Sequence, residues 1–192
     1  MVENSGQSPT AQLGRVLVTG GSGFVGANLV TTLLDRGYHV RSFDRAPSTL
    51  PAQPGLEVLH GDVCDRDIVA GAVDDIDTVF HTAALIELMG GASVTEEYRQ
   101  RSFAVNVEGT KNLVHAAQRA GVKRFVYTAS NSVVMGGKCI AGGDETLPYT
   151  DRFNDLYTET KVVAERFVLS QNGVDGLLTC SIRPSGIWGR GD

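Results

Sequence analysis

Residues 16–34, VLVTGGSGFVGANLVTTLL, run for 19 positions without a charged side chain. A membrane span needs about 20 apolar residues, so the length alone comes close. The composition points elsewhere. Four of the residues are glycine, and Thr19, Ser22, Asn28, Thr31 and Thr32 are polar. A strand, a glycine turn and a helix account for the run better, and they open a βαβ unit. The turn reads Thr19-Gly20-Gly21-Ser22-Gly23-Phe24-Val25-Gly26. It satisfies GxxGxxG through Gly20, Gly23 and Gly26, and GxGxxG through Gly21, Gly23 and Gly26. Such a turn needs glycine where the chain bends tightly, where backbone touches a pyrophosphate, and where the helix packs on the strand. The helix start at Phe24 and Val25 then offers free N–H groups to phosphates. Spacing alone is weak evidence, because 23 glycines in 192 residues give roughly 0.3 chance matches. The strand before the turn and the helix after it supply the specificity.

The rest of the chain repeats the alternation. Strands are expected at RVLVTG, HVRSFD, LEVLHGD, DTVFHTA, RFVYTAS and LLTCSIRP. Between them lie helix-period segments. The first has Val25, Leu29 and Leu33 four apart, with Gly37 as a stop. Another is capped by Asp65 and carries Ile68, Val69, Ala72 and Val73. A third runs from about Val105 to Ala120 after a long segment from Leu85, and a fourth from about Leu156 to Gln171. The pattern predicts an α/β fold, a doubly wound parallel sheet of the Rossmann kind in the order 3-2-1-4-5-6. It fills residues 13–184 and leaves no linker for a second domain. The polar residues 1–12 read as a flexible tail with no signal-peptide pattern.

Composition excludes other classes. A net charge of −5 argues against a nucleic-acid binder. Cys64, Cys139 and Cys180 are odd in number and form no CxxC pair, so neither a disulfide framework nor a metal site is expected, and a reducing cytoplasm is. Glu96-Glu97 and Asp74-Asp75 read as solvated faces. His81 reads as a satisfied strand-end histidine rather than a catalytic one. Trp188 divides evenly between a ligand contact and plain packing. The run LIELM at 85–89 divides between an apolar substrate wall and a buried element, with Glu87 facing water.

Three features carry chemistry. Asp44 ends the second strand, where a carboxylate suits ribose hydroxyls and repels a 2′-phosphate, favouring NAD. Arg45 beside it keeps NADP open. Tyr157 and Lys161, in YTETK, are four apart on one helical face. A phenol titrates near ~10, and a positive charge about 4 Å away at an effective dielectric of ~20 supplies the ~4 kcal/mol that would bring it to ~7. Lys161 and a nicotinamide are the candidate charges. A tyrosinate could then take a proton from an alcohol while hydride leaves. Ser130 is the first choice to hold the reacting oxygen and Ser132 the second, with capping an equal reading for either.

TGGSGFVG, GDV, HTAA, NVEGT, YTETK and IRPSGIWG, in that order, resemble the extended short-chain dehydrogenase/reductases over about residues 13–192. FVYTASNSVVMGG, DETLPY, DLYTETKVVAE and IRPSGIWG resemble the 3β-hydroxysteroid dehydrogenase branch, of the actinobacterial cholesterol dehydrogenase type. The resemblance implies that Gly20, Gly23 and Gly26 hold a pyrophosphate and Asp44 the adenine ribose. Asp62 and Val63 would border the adenine, and Ala83 and Ala84 would line the route to the nicotinamide ribose. Tyr157 would be the base, Lys161 its partner and a ribose ligand, Ser130 the oxygen donor, and Pro184 a nicotinamide neighbour. Asn106 matches the Asn of NVxGT. One departure is Ala129-Ser130 where the family has Ser-Ser. The implied reaction is NAD-dependent oxidation of a 3β-hydroxysteroid, with or without Δ5-to-Δ4 isomerisation. A sugar-nucleotide epimerase or dehydratase, or a non-catalytic dinucleotide module, are the rivals. The sequence also reads as an N-terminal fragment lacking the portion that covers a steroid substrate. It leaves homo-oligomerisation open.

Overall fold

The computed structural model describes residues 13–86, 94–137 and 140–189. The expected tail at 1–12, Glu87 and Cys139 lie outside them. Six parallel strands form one sheet in the order β3-β2-β1-β4-β5-β6. They are β1 (Val16–Thr19), β2 (Val40–Asp44), β3 (Leu56–His60), β4 (Thr78–His81), β5 (Arg124–Thr128) and β6 (Leu178–Ile182). The order reverses between β1 and β4, and all the strand ends that carry sequence motifs point to that side, where such sheets open a crevice.

The two faces are covered unequally. On one face Val16, Val18 and Val40 pack with Val30 and Leu33 of α1 (Phe24–Asp35). On the other, Leu17, Phe43, Val79, Phe125 and Tyr127 lie in one core with residues of three helices. These are α2 (Arg66–Ala72), α4 (Thr110–Ala120) and α6 (Leu156–Ser170). Being buried on both faces explains why VLVT is apolar without alternation. Of the stripe expected on α1, Leu33 is buried and Leu29 packs against the same core, and only Val25 departs from it. Gly26, Val30 and Leu33 are buried, whereas Val25 turns to a cleft. Asp65 caps α2 as expected, accepting from the N–H groups of Asp67 and Ile68.

The helix after β4 starts nine residues before the expected Val105. α3 (Glu96–Phe103) begins at Thr95, whose side chain caps Tyr98 N–H. Its sequence, EEYRQRSF, buries only Ser102, so it has no apolar period to read. A π-helical stretch, Ala104–Gly109, joins it to α4, and Gly121 at φ +75° closes α4. The loop expected after β5 opens with a single turn, α5 (Ser132–Met135).

Candidate active site

The turn after β1 is held by contacts that leave no room for side chains. Gly20 has φ +72°, and a Cβ there would sit 2.7 Å from the Ala83 nitrogen. At Gly26 a Cβ would collide with the Gly20 carbonyl. The helix therefore lies directly on the turn. No side chain caps α1, so its first N–H groups are free to face an anion. Gly20 N–H donates to the Phe43 carbonyl at 2.9 Å, tying the turn to β2. Asp44 ties it a second time, because its carboxylate accepts from Ser22 N–H at 3.0 Å and from Ala46 N–H at 2.8 Å.

A cleft of about 400 Å³ opens over this turn. Ten expected residues line it: Gly20, Gly23, Phe24, Val25, Gly26, Asp44, Asp62, Val63, Ala83 and Ala84. Thr82, Val105 and Ile187 also line it, and sequence reading gave none of them a site role. Leu85 and Ile86 give the LIELM run a cleft-facing start. Trp188 is 85% exposed, which speaks against plain packing among the described residues.

Tyr157, Lys161, Ser130 and Pro184 do not line this cleft. They gather at the ends of β5 and β6. Lys161 is 2% exposed. Its Nζ donates to the Thr128 carbonyl at 2.7 Å. It also lies 4.7 Å from the centroid of the Tyr127 ring and 5.6 Å from that of Tyr157. Asn131 N–H donates to the Pro184 carbonyl at 2.9 Å, and Asn131 Nδ2 to Ser185 Oγ at 3.2 Å, so β5 and the chain after β6 are pinned together. Ser130 Oγ accepts from Ser132 N–H at 3.2 Å. Ser132 Oγ is buried without a partner.

The electrostatics correct one expectation. Lys161 does not bring Tyr157 down in the protein alone. Burial, followed by the Asp155 charge, pushes the Tyr157 phenol up to about 12. The reason is that the lysine is itself desolvated. Burial pushes it down to about 7, with Glu165 opposing, so near neutrality much of its charge is gone.

A buried hydrogen-bond chain links the two groups of residues. Thr110 Oγ1 donates to the Asn106 carbonyl at 2.7 Å. Its proton is thus committed, so His81 Nε2–H donates to Thr110 Oγ1 at 2.9 Å. That leaves Nδ1 to accept from the Thr19 hydroxyl at 2.6 Å, which fixes the tautomer. Asn106 clamps Leu85, accepting its N–H at 2.7 Å and donating to its carbonyl at 2.9 Å. Asn106 Nδ2 also donates to Thr160 Oγ1 at 3.0 Å, and Thr160 donates to the Tyr157 carbonyl at 2.8 Å. The strand feeding the glycine turn is thereby connected to the helix carrying Tyr157. Burial, then the Lys161 charge, pushes His81 down to about 3, so it is neutral. Thr19, Thr110 and Thr160 had no visible signal, since a threonine in a strand or helix is ordinary.

The chain resembles proteins of known class. Over 185 residues it is 83% identical to a protein of Mycobacterium tuberculosis named 3 beta-hydroxysteroid dehydrogenase/Delta 5→4-isomerase, covering 96% of this chain and 50% of the relative. It is 79% identical to a 3-beta-hydroxysteroid dehydrogenase of Mycolicibacterium neoaurum, covering 94% and 49%. A short-chain dehydrogenase/reductase superfamily protein of Agrobacterium tumefaciens, solved with bound NAD, superposes with a TM-score of 0.76 at 32% identity, covering 88% and 48%. The chain thus spans about half the length of these relatives. With a match over residues 17–192, it belongs to the 3-beta hydroxysteroid dehydrogenase/isomerase family.

Proposed function

We propose that the chain is the cofactor-binding and proton-transfer half of an NAD-dependent 3β-hydroxysteroid dehydrogenase. The reaction is oxidation of a cholesterol-like 3β-alcohol to the 3-ketone, with Δ5-to-Δ4 isomerisation as a second step of the complete enzyme. The observation that carries this reading is Tyr157 and Lys161 stacked at the sheet end beside a glycine-lined cleft. The cradle suits a dinucleotide: Gly20 and Gly26 admit no Cβ, the helix start is uncapped, and a carboxylate stands at the end of β2. Gly20, Gly23, Phe24, Val25 and Gly26 would hold the pyrophosphate, and Asp44 the adenine ribose. Asp62 and Val63 would border the adenine, and Ala83, Ala84 and Pro184 would flank the nicotinamide end. NAD supplies the hydride acceptor and, in its oxidised form, a positive charge.

Tyr157 takes the proton of the 3-hydroxyl. Lys161 supports the tyrosinate and binds ribose, and Ser130 orients the steroid oxygen, with Ser132 as the alternative donor. Because burial holds the phenol high in the protein alone, two positive charges rather than one are needed to bring it into range. The domain is taken as residues 13–192, preceded by a tail at 1–12. Among the described residues no helix is long and apolar enough to cross a membrane, and a cytoplasmic location is part of the proposal.

The test is NADH formation by the full-length enzyme with cholesterol or pregnenolone, and product analysis with UDP- or dTDP-sugars, whose epimerisation or dehydration releases no net NADH. Steroid turnover alone is expected. In Tyr157→Phe it falls by at least about 100-fold. Turnover of a sugar nucleotide with none on sterols would establish the epimerase alternative, and NAD binding without any turnover a non-catalytic module.

A further inference from the structure

Tyr157, Lys161 and Glu165 follow one another at intervals of four along α6 and form one stripe facing the sheet. The third of them has no part in the proton transfer described above. Glu165 is 1% exposed. Its Oε1 accepts from Arg183 Nε at 2.9 Å, and its Oε2 has no partner. Arg183 in turn lies 5.2 Å from the Tyr149 ring centroid, with Arg166 4.8 Å from the same ring. A carboxylate buried so deeply, with one oxygen unpaired, costs stability that an apolar residue would not. Such a cost is commonly retained at functional sites.

The surroundings of Lys161 show what the carboxylate does. From β4 the lysine is faced by His81, which is neutral. From β5 it meets the Tyr127 ring and the Thr128 carbonyl. On α6 it is flanked by Tyr157 one turn before and by buried Glu165 one turn after, the latter without a hydrogen bond or ion pair to the lysine and paired instead with Arg183 from the end of β6. Asp155 acts on Tyr157 at the start of the helix. Glu165 is the one carboxylate in this set that acts on the lysine.

We infer that Glu165 is a positioning residue for proton transfer: its carboxylate, anchored by Arg183, keeps the side chain of Lys161 an ammonium beside Tyr157. The inference rests on the dehydrogenase reading for its catalytic consequence, but the lysine's charge can be measured without substrate. The Glu165 charge opposes the loss of the lysine's proton on burial. Without it, Lys161 would be neutral at lower pH and would cease to support a tyrosinate. Arg183 acts in the opposite sense, by offsetting part of the Glu165 charge while holding the carboxylate in place.

The experiment compares full-length wild type, Glu165→Gln and Arg183→Gln. Glutamine at 165 keeps an acceptor for Arg183 and removes only the charge. Two readouts are taken: the titration midpoint of the Lys161 side chain by heteronuclear NMR without cofactor, and the pH profile of steroid-dependent NADH formation. In Glu165→Gln the lysine midpoint and the alkaline limb of kcat should both move to lower pH by about one unit. At neutral pH kcat should fall about tenfold, equivalent to about 1.4 kcal/mol, with KM for NAD little changed. In Arg183→Gln the lysine midpoint should move to higher pH. An unchanged midpoint in Glu165→Gln, or a shift of both variants in one direction, overturns the inference. If Glu165→Gln does not fold, the direction in Arg183→Gln decides it. Wild-type enzyme inert towards every sterol, with the two midpoints moving as stated, would instead sink the dehydrogenase reading and leave the electrostatic coupling standing.

Discussion

The glycine turn is built from backbone, and the corner at the ends of β5 and β6 is built from side chains. In the turn, carbonyls and N–H groups of Gly20, Gly23 and Phe43 pair with one another, and Asp44 spends both oxygens on backbone donors. In the corner, Tyr127 Oη, Ser132 Oγ, Glu165 Oε2 and Ser181 Oγ are all buried without a hydrogen-bond partner. Two of these, Tyr127 and Ser181, are register partners across β5 and β6. The backbone-built turn holds its own shape before any ligand arrives and leaves only the N–H groups at the start of α1 open. A side-chain-built site holds polar groups in reserve, at a standing cost in stability.

The largest expected effect tests the backbone half. Gly26→Ala places a methyl group against the Gly20 carbonyl. It should lower unfolding free energy by more than about 3 kcal/mol and remove NAD binding. Denaturant unfolding and calorimetry measure both, and an intact turn in that variant would show the packing to be dispensable.

The next tests the side-chain half with the opposite sign. Burial holds Lys161 down at about 7, far below an unfolded lysine, so its cost builds as pH falls from about 10 and is full below 7. Lys161→Met should therefore raise stability by about 2 kcal/mol at pH 6. The gain should shrink towards pH 10, and steroid oxidation should be abolished. Loss of stability at pH 6 would mean that the corner carries no such reserve.

A smaller effect belongs to the connection between the halves. His81 is neutral when folded and titrates at about 3, whereas an unfolded histidine protonates near ~6.5. Its contribution is whole above ~6.5 and drains as pH falls towards 3, at up to about 1.4 kcal/mol per pH unit. His81→Gln should flatten that slope in thermal unfolding, and equal slopes would clear the histidine of any part in it. The smallest is Asp44→Asn, which should weaken NAD by about 1 kcal/mol, roughly fivefold, and narrow the preference over NADP. Unaltered selectivity would take the ribose role from Asp44.

The same division explains what could be read in the sequence. The sheet order and the glycine turn were legible because glycine spacing and unbroken apolar strands state backbone requirements directly, whereas Asp62, Val63, Ala83 and Ala84 were reached through the family resemblance. Tyr157 and Lys161 were legible through their interval of four. The start of α3 was not, because EEYRQRSF has no apolar face. Nor was the Thr19-His81-Thr110 connection, which depends on residues 62 and 29 positions apart. The high phenol of Tyr157 was also missed, since spacing places a lysine beside a tyrosine but says nothing of how much water either loses.

The connection through His81 has a consequence for how this protein can diverge. Every donor in it points one way, from Thr19 through His81 to Thr110 and on to a carbonyl that cannot give a proton back. Only one arrangement of hydrogens satisfies it. A lone replacement that removes a hydroxyl or the imidazole strands a partner. Such replacements must therefore arrive in matched combinations, such as a hydrophobic trio that abandons the chain altogether. Single steps that remove a hydroxyl or the imidazole at Thr19, Thr110 or His81 are accordingly disfavoured.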